Sequence, residues 1–278
     1  MDPQVTNQRA GRDAELTAFL DAIYHAHHYD FRSYSEASLL RRLRNALLHF
    51  KVPSLPRLLD KMQRDPALFT ELLRFLTVQV SDMFRDPIYF RALRAEVVPY
   101  LRTYAALKIW CAGCATGEEA YSLAILLREE GLLERTMIYA TDINPEALRT
   151  AQDGVYDMER VARFSENYRL AGGTGSLSDY YSAAYSGALF DRKLRDAVVF
   201  SDHSLATDHA FGEMQLVSCR NVLIYFEREL QERALRVLTE SLCRKGFLGL
   251  GLKETLRFTT LAPRFKECDA DARIYQLL

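Results

Sequence analysis

The stretch Lys108-Ile109-Trp110-Cys111-Ala112-Gly113-Cys114-Ala115-Thr116-Gly117-Glu118-Glu119-Ala120-Tyr121-Ser122 changes character twice. Its first four residues are a short apolar run of the kind that forms a buried strand. Gly113 and Gly117 then punctuate a loop, and a helix is expected over roughly 118–130. A strand that turns at glycines into a helix is the opening unit of a mostly parallel sheet with helices on both faces. Reading outward repeats the pattern. The run Met137-Ile138-Tyr139-Ala140 ends at Thr141-Asp142, and Pro145 starts another helix. Further strands are expected at 197–200, 214–218 and 246–251, with a last one at 273–277. Residues 171–188, rich in Gly, Ser and Tyr, read as a loop and small hairpin inserted between sheet elements.

Before this unit the pattern is helical only, from about 13 to 85, with a bridging helix at 87–103. Ser33 and Glu36 have the spacing of a capping box. Leu39, Leu43, Leu47 and Phe50 make one apolar face of the helix that follows, and Arg41, Arg42, Arg44 and Asn45 point the other way. Pro53 and Pro56 end that helix and begin the next, and Asp65-Pro66 opens another. The expected division is a helical domain over 1–86 and an α/β domain over 87–278, with a small β-subdomain inserted at about 165–200.

Composition bounds the function. The chain has 278 residues, 49% hydrophobic and 26% charged, enough for a sizeable core. A net charge of -1 argues against nucleic acid as a partner. The polar N-terminus has no signal-peptide core and no apolar run is long enough to span a bilayer, so a cytoplasmic location is expected. Five cysteines, an odd number, read as reduced thiols. Cys111 and Cys114 lack a second ligand pair, and His25, His27 and His28 lack an identified partner, so no metal is expected.

In an open parallel sheet, ligands sit at the carboxyl ends of the strands near the switch point. Ala112, Gly113 and the following loop lie there, as does Asp142, which is suited to accept both hydroxyls of a ribose. The loop is not G-x-G-x-x-G. Glu118 and Glu119 occupy the helix start that a dinucleotide's pyrophosphate would need. They suit a ligand with a cationic end and no phosphate, such as S-adenosylmethionine, although both could equally just complement the helix dipole.

Four strings in order carry a resemblance. The first is 109–122; the second is Ala140-Thr141-Asp142-Ile143; the third is Ser218-Cys219-Arg220-Asn221-Val222-Leu223-Ile224-Tyr225-Phe226; the fourth is Val80-Ser81-Asp82-Met83-Phe84-Arg85-Asp86-Pro87. Together they resemble the CheR family of chemotaxis receptor methyltransferases from about residue 33 to the C-terminus. The resemblance implies a helical domain joined to a Rossmann-like class I methyltransferase domain with an inserted β-subdomain. It implies a protein-glutamate O-methyltransferase that uses S-adenosylmethionine, releases S-adenosylhomocysteine, and acts in bacterial signal transduction. It places Gln79, Ser81, Arg85, Ala112, Gly113, Glu118, Asp142, Ser204, Leu205, Arg220 and Asn221 on the cofactor, and Arg85 and Tyr225 near the reacting centre. Met83 stands where the family usually has Phe, Ala120 where it has Pro, and the 251–254 string Gly-Leu-Lys-Glu where it has Gly-His-Ser-Glu. The form of the stretch 251–258 resembles family members found beside sensor kinases.

The expected partner is the cytoplasmic helical bundle of a chemoreceptor or receptor-like signalling protein. From 31 to 64 the chain has eight Lys/Arg against two Asp/Glu, and Arg41, Arg42 and Arg44 are the expected docking face for an acidic helix. Alternatives are a non-catalytic module that senses the cofactor, an NAD-dependent oxidoreductase, and a methyltransferase acting on a small carboxylic acid.

Overall fold

A computed structural model describes residues 3–184 and 187–278, and side chains within them from residue 14 onward except that of residue 184. By internal contacts the chain forms two compact units. One comprises residues 1–78 with 225–231, and the other residues 79–224 with 232–278.

The first unit contains four helices: α1 (Pro3–His27), α2 (Glu36–Phe50), α3 (Leu55–Arg64) and α4 (Leu68–Leu76). Leu39, Leu43, Leu58, Leu72 and Leu76 are its sealed core, joined by Phe19 and Ile23. The capping box expected at Ser33 does not form. α2 begins one residue after Ser35, whose side chain makes no capping bond, because the backbone here is drawn aside: the Ser35 N–H donates to the Tyr225 carbonyl, and the Ser33 carbonyl accepts from Glu227. Arg42 is corrected too. It is buried on α2, where Nη1 donates to the Leu76 carbonyl at 2.6 Å and the guanidinium lies 4.7 Å from the Tyr225 ring centroid. Arg42 stands three residues after Leu39 and four before Ala46, both buried, so helical spacing carries it inward. Only Arg41 and Arg44 remain exposed.

Helical structure stops at Leu76, and 77–86 is irregular where helix was expected. The bridging helix is in three pieces, α5 (Pro87–Ala92), a π turn (Leu93–Val97) and α6 (Val98–Leu101). Pro99 has no N–H to extend an α-helical ladder through that point.

The large sheet draws on β1 (Leu107–Ala112) and β2 (Thr136–Asp142), separated by α7 (Glu118–Glu129). α8 (Pro145–Asp153) follows. Then come β3 (Val155–Asp157), α9 (Met158–Leu170), β4 (Tyr181–Ala184) and β5 (Gly187–Phe190). These three strands form a separate antiparallel sheet in the order β3-β5-β4. The expected hairpin is present, though residues 185 and 186 of its tip lie outside the described residues, and its sheet already starts at Val155. α10 (Arg192–Asp196) returns the chain to β6 (Val198–Asp202), a strand of the large sheet. β7 (Met214–Cys219), α11 (Arg228–Glu240), β8 (Leu242–Leu250), β9 (Phe265–Asp269) and β10 (Ile274–Leu277) complete the chain.

The large sheet runs β6-β2-β1-β7-β8-β10-β9. All pairings from β6 to β8 are parallel, whereas β10 is antiparallel to both neighbours. β9, with Lys266, Glu267 and Asp269, has no apolar alternation to announce it and was missed; it sits at the sheet's edge. Chain order reverses between β1 and β7, which makes the gap beyond their carboxyl ends the switch point. No described helix is long and apolar enough to cross a membrane.

Candidate functional site

The loop after β1 is shaped by its own backbone. The Gly113 and Cys114 N–H groups both donate to the Thr141 carbonyl, at 2.7 and 2.9 Å, and Gly117 N–H closes the turn onto the Cys114 carbonyl. Gly113, Ala115 and Gly117 have φ of 71°, 48° and 91°. The glycines serve packing as well as conformation. A Cβ on Gly113 would lie 2.4 Å from Val222, and one on Gly117 2.8 Å from Ala151. Close approach of a ligand, the reason expected from sequence, is therefore not what demands glycine at these two positions.

Asp142 ends β2 half-buried. One carboxylate oxygen accepts from the Ala115 N–H and the other from Asn144 N–H, both at 2.9 Å. Burial pushes its carboxyl above the usual range, against the pull of these donors. The Ile143 N–H donates to this carboxylate as well, and what remains of its acceptor capacity is open to a hydroxyl. Asn144 caps α8, accepting from the Glu146 and Ala147 N–H groups.

The two glutamates at the start of α7 part company. Glu118 is fully buried, accepts from the Thr116 hydroxyl, and pairs with Arg160 Nη1 at 2.9 Å. Burial raises its carboxyl. Glu119 faces inward, accepting from Ser218 Oγ at 2.6 Å and Arg220 Nη1 at 3.0 Å. Ser218 Oγ in turn lies 2.7 Å from the Tyr89 hydroxyl. Both glutamates are thus paired within the protein, Glu118 with Arg160 and Glu119 with Arg220.

Arg220 is enclosed with it. Its Nη2 reaches the Arg85 carbonyl at 2.8 Å and Asp86 at 2.9 Å, and its guanidinium lies 4.1 Å from the Tyr89 ring centroid. The side chain expected beside the adenosine is a clamp on the 79–86 segment, and what it can offer a ligand is its backbone. Asn221 follows with φ of 60°. Its N–H donates to Glu254 at 3.0 Å, and the Gly251 and Ile224 N–H groups converge on the same carboxylate. Glu254 is buried without an ion-pair partner among the described residues, and burial raises its carboxyl.

The 79–86 segment is stapled from several sides. Phe84 N–H donates to Ser122 Oγ at 2.8 Å, Asn167 Nδ2 to the Met83 carbonyl at 3.0 Å, and Arg160 to the Ser81 carbonyl. Arg163 pairs with Asp82 at 3.0 Å. Against this background two polar groups stand out. Arg85, half-buried, makes no side-chain hydrogen bond or ion pair among the described residues. Gln79 Nε2 is sealed from solvent without a hydrogen-bond partner.

Beyond β6, Ser204 N–H donates to Asp208 at 2.9 Å and Leu205 is buried. Arg233 holds this turn by donating to the carbonyls of 206, 207 and 208. Tyr225 belongs with the helical unit, its ring beneath Arg42. The structure thus gathers Glu118, Asp142, Ser204 and Asn221 at the carboxyl ends of adjoining strands, with Ser81 tied to Glu118 through Arg160. Sequence reasoning missed Arg160, Arg233 and the work done by Glu254. Only Glu254 had a signal, as an acid three residues after a glycine at a strand end.

An arginine and an amide with no partner among the described residues, beside the buried Glu118 and the half-buried Asp142, suit a ligand that carries both charged and hydroxyl groups. A family model described as "CheR methyltransferase, SAM binding domain" matches residues 79–274, and one described as "CheR methyltransferase, all-alpha domain" matches residues 14–77. A Pseudomonas putida protein named as methyltransferase Cher3 is 53% identical over 272 residues, covering 98% of this chain and 99% of that one. A chemotaxis protein methyltransferase of Listeria monocytogenes is 30% identical over 229 residues, 82% of this chain and 84% of its own length. An uncharacterized 104.1 kDa protein of Rhodobacter capsulatus is 34% identical over 257 residues, which are 90% of this chain but 26% of that protein.

Proposed function

Because this chain belongs to the CheR methyltransferase family, we propose that it transfers a methyl group from S-adenosylmethionine to glutamate side chains of a bacterial chemoreceptor or related signalling protein, as a cytoplasmic protein-glutamate O-methyltransferase. The observation that carries the reading is Arg85: a half-buried cation unpaired among the described residues, in a segment whose backbone is fastened at Ser81, Met83, Phe84 and Arg85 itself.

When bound, the cofactor supplies an electrophilic methyl group on a sulfonium. Asp142 keeps acceptor capacity for ribose hydroxyls, and Glu118 complements a cationic end. Gln79 donates to an acceptor on the ligand, and Ser81 and Asn221 add polar contacts. A glutamate carboxylate has an unperturbed pKa of about 4.3 and is ionised at neutral pH, so no general base is required. The enzyme's task is to orient the carboxylate and exclude water. Arg85 is the proposed orienting group. Arg41 and Arg44, the exposed members of the basic face, are the proposed docking cations for an acidic receptor helix.

The test is transfer of labelled methyl from S-adenosylmethionine to the cytoplasmic fragment of a candidate receptor. The expected product is a base-labile ester on glutamate. Reversing Arg41 and Arg44 to Glu should raise KM and flatten its salt dependence, while kcat is preserved. Binding of S-adenosylhomocysteine without esters on any such fragment would instead favour a non-catalytic sensor.

A further inference from the structure

We infer that Arg160, which no motif marks, is a positioning residue for the cofactor: its guanidinium ties Glu118 to the 79–86 segment and so sets both the shape and the charge of the cradle. The inference rests on the reading that this edge of the sheet holds S-adenosylmethionine.

The geometry is specific. Nη1 of Arg160 lies 2.9 Å from Glu118, while Nη2 donates to the Ser81 carbonyl and lies 3.4 Å from Asp82. Its guanidinium carbon lies 4.8 Å from the Phe164 ring centroid. Three planar groups thus fix one guanidinium, and a lysine could satisfy only part of that fork. Glu118 and Ser81 are 37 residues apart in the chain, counting from 81 to 118, yet one side chain holds both. Asp82 does not absorb Arg160, because Asp82 has its own nearer partner in Arg163 at 3.0 Å.

The charge argument follows. Glu118 is fully buried, and its side-chain partners besides Arg160 reduce to the Thr116 hydroxyl. A buried carboxylate stripped of its counter-ion takes up a proton and ceases to attract a cation. Arg160 therefore keeps Glu118 able to face a positive ligand group, and keeps Ser81 where its hydroxyl can contact the same ligand. Its own side chain is 38% exposed, so truncating it empties no core.

Calorimetric titration with S-adenosylhomocysteine, on the full chain, tests this. Arg160→Ala should weaken binding about tenfold or more, the effect of losing a charge-assisted hydrogen bond. Arg160→Lys should recover part of the loss. In a Glu118→Gln background, Arg160→Ala should cost far less than it does in the parent protein, because the two act through one contact. If Arg160→Ala fails to unfold cooperatively, Arg160→Gln, which keeps the stem and loses the charge, carries the same comparison. Parental affinity in the Ala or Gln variant, or an equal loss with and without Glu118, overturns the inference. A parent protein that does not bind S-adenosylhomocysteine overturns the cofactor reading itself, which is a different result.

Discussion

The loop at 113–117 and the segment at 79–86 both carry left-handed residues and candidate cofactor contacts, but different agents hold them. In the loop, two of the three such residues are glycines, and the turn is closed by backbone bonds to Thr141 and Cys114. In the segment, the left-handed residues are Phe84 and Asp86, with φ of 51° and 56°. Phe84 does not favour that region locally, and Asp86 tolerates it better than most non-glycine residues. They stay there because Ser122, Asn167 and Arg220 reach in from remote parts of the chain. Remote residues take part in both, Thr141 and Asp142 in the loop, but the loop places glycine at two of its left-handed positions and the segment places none.

This contrast is exposed to experiment. The largest effect is expected at Arg220, the principal outside clamp. Arg220→Ala leaves Glu119 and Asp86 facing a vacated guanidinium site and should destabilise the chain by about 3–5 kcal/mol in chemical denaturation. A loss below about 1 kcal/mol would mean that the 79–86 segment holds itself, against the scale set for a broken buried pair. Next comes Gly117→Ala in the loop with left-handed glycines. Its Cβ would meet Ala151 at 2.8 Å on a backbone with φ of 91°. A loss of about 2 kcal/mol is expected from strain and overpacking together. An unchanged midpoint would show that the loop is not set by its glycines.

The smallest effect concerns pH. Glu254 is held by backbone N–H donors and its carboxyl is raised by burial. A raised carboxyl keeps its proton in the folded chain after the unfolded chain has lost it. Its contribution to stability is therefore full below the ordinary carboxylate range and declines as pH rises through the folded pKa. The stability of the parent relative to Glu254→Gln should fall as pH rises above the ordinary carboxylate range, the unfolded chain losing its proton first. A difference that grows over that window would reverse the sign and show that the N–H donors outweigh burial.

Much of the sheet was legible because short apolar runs ending at glycine or aspartate need only local pattern. The edge strand β9, with its charged residues, offered no such pattern. The site divides in the same way. Asp142 was readable as the acid ending a strand. Arg42 was misread because its neighbours at 41 and 44 are exposed, although its own angle around α2 turns it to the Leu76 carbonyl. Glu119 read as a twin of Glu118, yet adjacent residues on a helix point about 100° apart, so one meets Arg160 and the other Arg220.

By itself the amino-acid sequence determined the alternation of strands and helices, the family, and which carboxylates end up at the sheet's edge. These depend on periodicity and on motifs whose members are neighbours in the chain. The tertiary structure alone decided which charges are spent. Arg220 is locked to Glu119 and Asp86, Arg160 joins Glu118 to Ser81, and Arg85 is left without a partner among the described residues. Whether a charge is paired depends on what folding brings within about 4 Å of it, and these partners lie 42 to 134 residues apart in the chain.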